Sequence, residues 1–183
     1  MITEAFPDPP HTVIAALLDL VIARDGTEED KAHLGDPHDL ARPWDPPTCA
    51  PTLRRHLWYW LDDVAAWINH DHTWRPEAAI PACWPAHPHL ARELAILACT
   101  RAAAAQALTP DPLEVWYRHA LPGFLDRMAT HLATGCTPGR HTPWPAAARH
   151  RDYTTAETTD QRRRAFADDT TDGADHDPRT TRT

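Results

Sequence analysis

Serine is absent from this chain of 183 residues, and lysine occurs once. The first absence removes serine-based hydrolase chemistry, which needs an activated hydroxyl beside a general base. Glycine is scarce, six in all and none clustered, so no phosphate-cradling loop is present. The four cysteines, Cys49, Cys83, Cys99 and Cys136, are scattered without a Cys-x-x-Cys. With no secretory signal they read as reduced thiols, which places the chain in the cytoplasm. Long apolar runs are missing too. The run near the start, Val13 to Ala23, is interrupted by Asp19 and preceded by acidic residues. It is too short to span a bilayer and lacks the basic flank of a signal peptide, so no membrane association is expected.

What is abundant is proline, at 19 residues, and arginine, which supplies all but one of the 18 basic side chains. Proline at this density chops a chain into short helices and extended joins. Abundant Ala, Pro and Arg point to a GC-rich genome. Hydrophobic residues make up 42%, enough for a modest core over part of the chain. The net charge is −8, and residues 1–136 carry all of it with 10 basic and 18 acidic side chains. Tight phosphate binding needs a concentration of Lys and Arg, and no such footprint is visible in that part.

Periodicity gives an all-α reading, a small irregular domain of about five helices followed by a disordered tail. Val13, Ile14, Leu17, Leu18 and Val21 form a stripe on a first helix, capped by Thr12 and ended at Gly26. That helix is expected to pack on the core; binding a partner through the stripe is the alternative. Residues 26–51, acidic and with five prolines, read as a linker or wrapping loop in which Trp44 is a single anchor. Leu53, Leu57, Trp60, Leu61, Val64, Trp67 and Ile68 mark the clearest amphipathic helix. Pro88 opens another over residues 88–108, with Leu90, Leu94, Leu97, Ala98, Arg101, Ala105 and Leu108 on one stripe, Ala102 to Ala105 leaving a thin surface for a close neighbour, and Thr109-Pro110 as the stop. Asp111 is expected to cap a short helix in a capping box with Glu114, broken at Pro122-Gly123. A last helix, with Phe124, Leu125, Met128 and Leu132, ends at Gly135. The core should include Leu57, Trp60, Leu61, Val64, Trp84, Leu94, Leu97, Trp116 and Leu125.

Three regions follow: residues 1–51, an N-terminal helix with an acidic Pro-rich linker whose first ten residues are mobile; 52–136, a Trp-rich helical core; and 137–183, a solvated tail. The tail is rich in Thr, Asp, Arg and Pro and cannot bury enough to offset chain entropy. Within it, Gln161 to Ala167 suits a transient helical turn, and Asp168-Asp169 weakens the field of Arg162 to Arg164.

Two Trp-x-x-His pairs, Trp84/His87 and Trp116/His119, are the candidate binding residues. Three apart on a helix, Trp and His share a face. Large aromatics at that spacing usually pack, so each His is read as holding a helix end: His87 as an N-cap, His119 at a C-terminus. Bringing both histidines together as ligands or an acid–base pair is the sharper alternative. Arg54 and Arg55, in the first turn of their helix, form the best small basic patch. His70-Asp71-His72, Cys83 with His87, and Cys136 with His141 are the groupings with metal-ligand chemistry. None of these spacings matches a closed site, so no metal, no cofactor and no catalytic residue is assigned.

The order Cys83-Trp84, His87-Pro88, Arg92, Leu94, Leu97, then Trp116-Tyr117, His119 and Pro122 resembles the actinobacterial family called domain of unknown function 4913. The resemblance covers about residues 53–130. Pro85, His89 and Ala98 depart from the family pattern of Trp, Glu and Trp at these places. It implies a helical core and the setting of a plasmid, phage or integrated element, with no activity. Three function classes result. The first is a non-enzymatic interaction module, an accessory protein of a mobile element with a protein partner. The second is a DNA-associated factor using Arg54, Arg55 and the tail arginines on phosphate. The third and weakest is a His-based metalloenzyme. Acidic charge favours the first over the second.

Overall fold

The computed structural model describes residues 3–75, 78–132, 136 and 151–172, with backbone alone for 169–172. The described residues are all-α and contain no strand. The chain falls into two units, Met1–His141 and Thr142–Thr183.

Helix α1 spans His11–Asp25, the short α2 Glu28–Ala32, α3 Pro51–Asp71 and α4 Pro88–Ala105, which stops short of the expected 108 and leaves Leu108 fully exposed rather than on the apolar stripe. Helix α5, Asp111–Val115, runs through a π-turn at Trp116–Ala120 into α6, Leu121–Leu132. Helices α3 and α4 form the centre. Leu57, Trp60, Leu61, Val64 and Ile68 of α3 face Leu90, Leu94, Leu97 and Ala98 of α4, all buried. Trp84 and Trp116 are buried as expected, while Leu125 is only partly covered and Phe124 takes the core position beside it. No helix among the described residues is long and apolar enough to cross a membrane.

The N-terminal segment is docked where mobility was expected. The Trp60 indole N–H donates to the Pro7 carbonyl at 2.9 Å, and the Trp67 indole to the Glu4 carbonyl at 3.1 Å. Phe6 lies edge-on to both rings, with centroids 6.3 Å and 5.2 Å away. The Arg101 guanidinium stands 5.0 Å from the centre of the Phe6 ring and 5.7 Å and 5.5 Å from those of Trp116 and Tyr117. A cation among three π faces is attracted to each. Proline explains the docking: an extended segment with few free N–H groups offers carbonyls, and buried tryptophans need acceptors.

Residues 26–51 wrap the same core. Thr27 and Asp30 make a capping box that starts α2. The wrap is held by buried Pro43, Pro46 and Cys49, while Trp44, the expected anchor, is 38% exposed. Arg42 tightens the turn by donating to the carbonyls of Pro37, His38 and Leu40. Two expected caps are absent. Helix α1 starts after Pro10, and the Thr12 hydroxyl bonds the His56 ring instead. Helix α5 starts after Pro110 with no side-chain cap, and Asp111 lies inside it.

In place of the expected break at Pro122-Gly123 the chain has a π-turn that ends at Ala120, two residues before Pro122, and α6 runs through both residues. In unbroken α phase Trp116 and Leu121 would point about 140° apart. One extra residue in the turn removes about 100° of that. Trp116, Leu121, Phe124 and Met128 therefore share one buried face against α4.

In the second unit, α7 spans Ala156–Asp172 and includes the turn expected at Gln161–Ala167. Its described side chains are exposed or half-buried. Arg162 sits 3.7 Å over the Tyr153 ring and donates to the Tyr153 carbonyl. The rest of the expected tail, residues 137–150 and 173–183, lies outside the described residues, as does Gly135.

Candidate functional site

The two Trp-x-x-His pairs do different things and do not meet. Trp84 packs beside Trp58, with centroids 6.1 Å apart, and its indole donates to the Asp62 carboxylate at 3.3 Å. Trp116 donates to the Leu97 carbonyl at 3.0 Å, inside the core. His119 is exposed on the π-turn, whereas His87 is only 3% exposed. His87 occupies the N-cap position of α4, but its imidazole makes no capping bond. The ring turns instead toward two sulfurs.

The Nε2 of His87 lies 3.5 Å from the Cys83 Sγ and 3.2 Å from the Cys136 Sγ. The three ligand atoms fall within 4.8 Å of one another. A tight turn builds half of this cluster. Trp84–Ala86 is a 3-10 helix with Pro85 inside it, which sets Cys83 and His87 at its two ends. Cys136 arrives from just beyond α6. Burial, followed by the neighbouring Cys136 sulfur, pushes the Cys83 thiol above its ordinary pKa. The His89 ring stands between those of His87 and His131, at 5.8 Å and 5.1 Å. Burial, then the two neighbouring imidazoles, lowers the pKa of His89. The other two cysteines belong to the core. Cys99 is pushed up to about 12 by burial and then by Cys49, and burial also raises Cys49.

Sequence spacing suggested Cys83 with His87 and, separately, Cys136 with His141. The structure joins Cys136 to the first pair across 49 residues, a link no local pattern announces. His141 lies outside the described residues. His70-Asp71-His72 does not converge. His70 pairs with the Asp71 carboxylate, which also accepts from the Glu4 amide. His72 turns away onto the Trp67 ring, 4.5 Å between centroids.

Arg54 and Arg55 also part company. Arg55 is exposed, while Arg54 lines a cleft of about 250 Å³ with Arg92, Trp58 and Pro85. Two arginines on a unit with net negative charge fall short of the footprint that nucleic acid requires.

A larger feature was only half legible. Between α4 and the α5–α6 helix runs an open groove of about 720 Å³. Ile96 and Ala103 of α4, with Ala107 just beyond it, form one wall, and Val115, Trp116 and Phe124 the other. Ile96 and Val115 are 48% and 52% exposed, so the groove keeps apolar surface in water. The Glu93–Arg127 ion pair, at 2.8 Å, closes one end and Asp111 borders the lining. The run of alanines signalled a thin surface; the facing wall depends on the π-turn, which periodicity did not show. Helix α1 adds a second uncovered strip: Val13 and Ala16 are buried, but Ile14, Leu18 and Val21 are exposed.

No protein-family model matches this chain, and no curated protein or solved structure is significantly similar to it. The likeness to domain of unknown function 4913 therefore rests on the quoted motifs alone.

Proposed function

We propose that this chain is a non-enzymatic helical interaction module, an accessory protein of an actinobacterial mobile genetic element acting in the cytoplasm. The mobile-element setting draws support from the motif resemblance, and the binding role from one observation, the apolar groove between α4 and α5–α6. Small side chains at Ala103 and Ala107 allow another backbone close approach. Along α4 the lining runs from Glu93 to Ala104, about 16 Å, the length of three helical turns. The occupant this suits is an apolar helix of a partner protein laid along the groove. Charge selects its flanks: residues 1–136 carry a net −8, so a like-charged second copy is repelled and a Lys- or Arg-flanked helix attracted.

A designed peptide tests this, with leucines at helical spacing and lysines at both ends. Isothermal titration should show saturable binding at one per chain. A peptide with glutamates at the ends should bind at least about tenfold more weakly, a difference of about 1.4 kcal/mol. Ala103→Trp fills the groove from an exposed position and should remove binding while leaving the helical content unchanged. Self-association that Ala103→Trp abolishes, or peptide binding that it leaves intact, overturns the reading.

A further inference from the structure

The geometry points to a zinc site formed by Cys83, His87 and Cys136. Two sulfurs approach a single ring nitrogen, at 3.5 Å and 3.2 Å. One imidazole nitrogen has one in-plane position for a hydrogen bond, so it cannot serve two thiols equally well. A metal ion can serve all three, because it takes the lone pair of each.

The distances decide between a packing cluster and a ligand set. In tetrahedral zinc, bonds of about 2.3 Å to sulfur and about 2.0 Å to nitrogen give sulfur–nitrogen edges of about 3.5 Å. The corresponding sulfur–sulfur edge is about 3.8 Å. The observed edges to His87 are close to the first value, and all three atoms lie within 4.8 Å. Small side-chain adjustments then place one ion at bonding distance from all of them.

Donor chemistry selects the ion. Two thiolates and an imidazole suit Zn²⁺, whereas Mg²⁺ and Ca²⁺ require oxygen ligands that this group does not offer. Charge also balances. Zn²⁺ displaces the two thiol protons to solvent, His87 binds as the neutral ring, and the filled site carries no net charge. A neutral cluster is what the surroundings of His87, 3% exposed, can hold without a large desolvation cost. The three protein ligands leave a fourth position for water. Structurally, the ion ties the chain beyond α6 to the turn that opens α4, closing the segment from Cys83 to Cys136.

The test uses the full chain, reduced and freed of metal, and titrates it with Zn²⁺ alone. One equivalent should bind with release of two protons and should raise the melting temperature, while Mg²⁺ does neither. Cys83→Ser and Cys136→Ser should each lose the tight equivalent with helical content retained. His70→Gln, at the separate His70–Asp71 pair, should keep it. Cys136→Ser is the safer variant, since Cys136 follows α6 and lies outside the central α3–α4 core. Zinc retained by both cysteine variants, or no binding by the reduced chain, overturns the proposal. So does a Cys83–Cys136 disulfide in the freshly purified protein that accounts for the proximity without metal.

Discussion

Replacing Phe6 by alanine separates a docked N-terminus from a loose one. Phe6 sits edge-on to Trp60 and Trp67 and under the Arg101 guanidinium. A fully buried Phe→Ala change costs about 3–5 kcal/mol. Phe6 is only partly buried, so the transfer and cavity contributions shrink, while the two aromatic pairs and the cation contact remain at stake. The balance is a loss of about 2–3 kcal/mol. Phe6→Leu keeps most of the apolar volume and loses the ring's charge distribution, for about 1 kcal/mol. Urea unfolding followed by circular dichroism at 222 nm, a wavelength where helix dominates, reads both. A double-mutant cycle with Arg101→Met should return a coupling of about 0.5–1 kcal/mol. If Phe6→Ala costs less than about 0.5 kcal/mol, the size of an ordinary surface change, the docking is not real and the first ten residues are loose.

Acid should weaken the fold through His72. Burial, then the Arg101 charge, lowers its pKa against the opposing pull of Asp71, and Trp67 and Tyr117 flank its ring. A depressed pKa means the unfolded chain takes the proton first. The contribution is therefore complete above about pH 6.5 and is lost as pH falls below it. Stability curves at pH 7.5 and 5.5 should differ, and His72→Gln should narrow the gap; an unchanged gap removes His72 as the cause. His119→Gln should change stability by less than about 0.5 kcal/mol, because the ring is exposed and holds no helix end. A loss near 1 kcal/mol would restore the helix-end role.

Elements with strong periodicity were legible in advance. The α3 stripe from Leu53 to Ile68 and the α4 stripe from Leu90 to Ala98 lie on the faces the two helices bury together, while Leu108, read onto the same stripe, falls past the end of α4 and is exposed. Caps were less legible. Thr12 and Asp111 have the chemistry of caps, but Pro10 and Pro110 precede them and set the start of each helix by their fixed φ. The N-terminal docking escaped because its signal is long-range: carbonyls of Glu4 and Pro7 meet indoles 63 and 53 residues away. The sulfur–imidazole cluster escaped for the same reason. Cys83 and His87 are neighbours along the chain, whereas Cys136 reaches them only once α6 has packed on α4.

The π-turn at Trp116–Ala120 has a consequence for how this helix can change length. An extra residue and a proline occupy the same stretch, and each compensates for the other. Without the extra residue, His119 for example, Pro122 would sit in a regular helix, with its ring against the carbonyl of Tyr117, at a cost of about 3 kcal/mol. Without the proline, the turn could shed one residue and close as ordinary α-helix with Trp116 and Phe124 still facing the same way. Deleting the exposed His119 is therefore tolerated once Pro122 is alanine and costly while the proline remains. Adding a residue has no such companion change: it would swing Leu121, Phe124 and Met128 out of the core together. The helix can lose a residue in two coupled steps and cannot readily gain one.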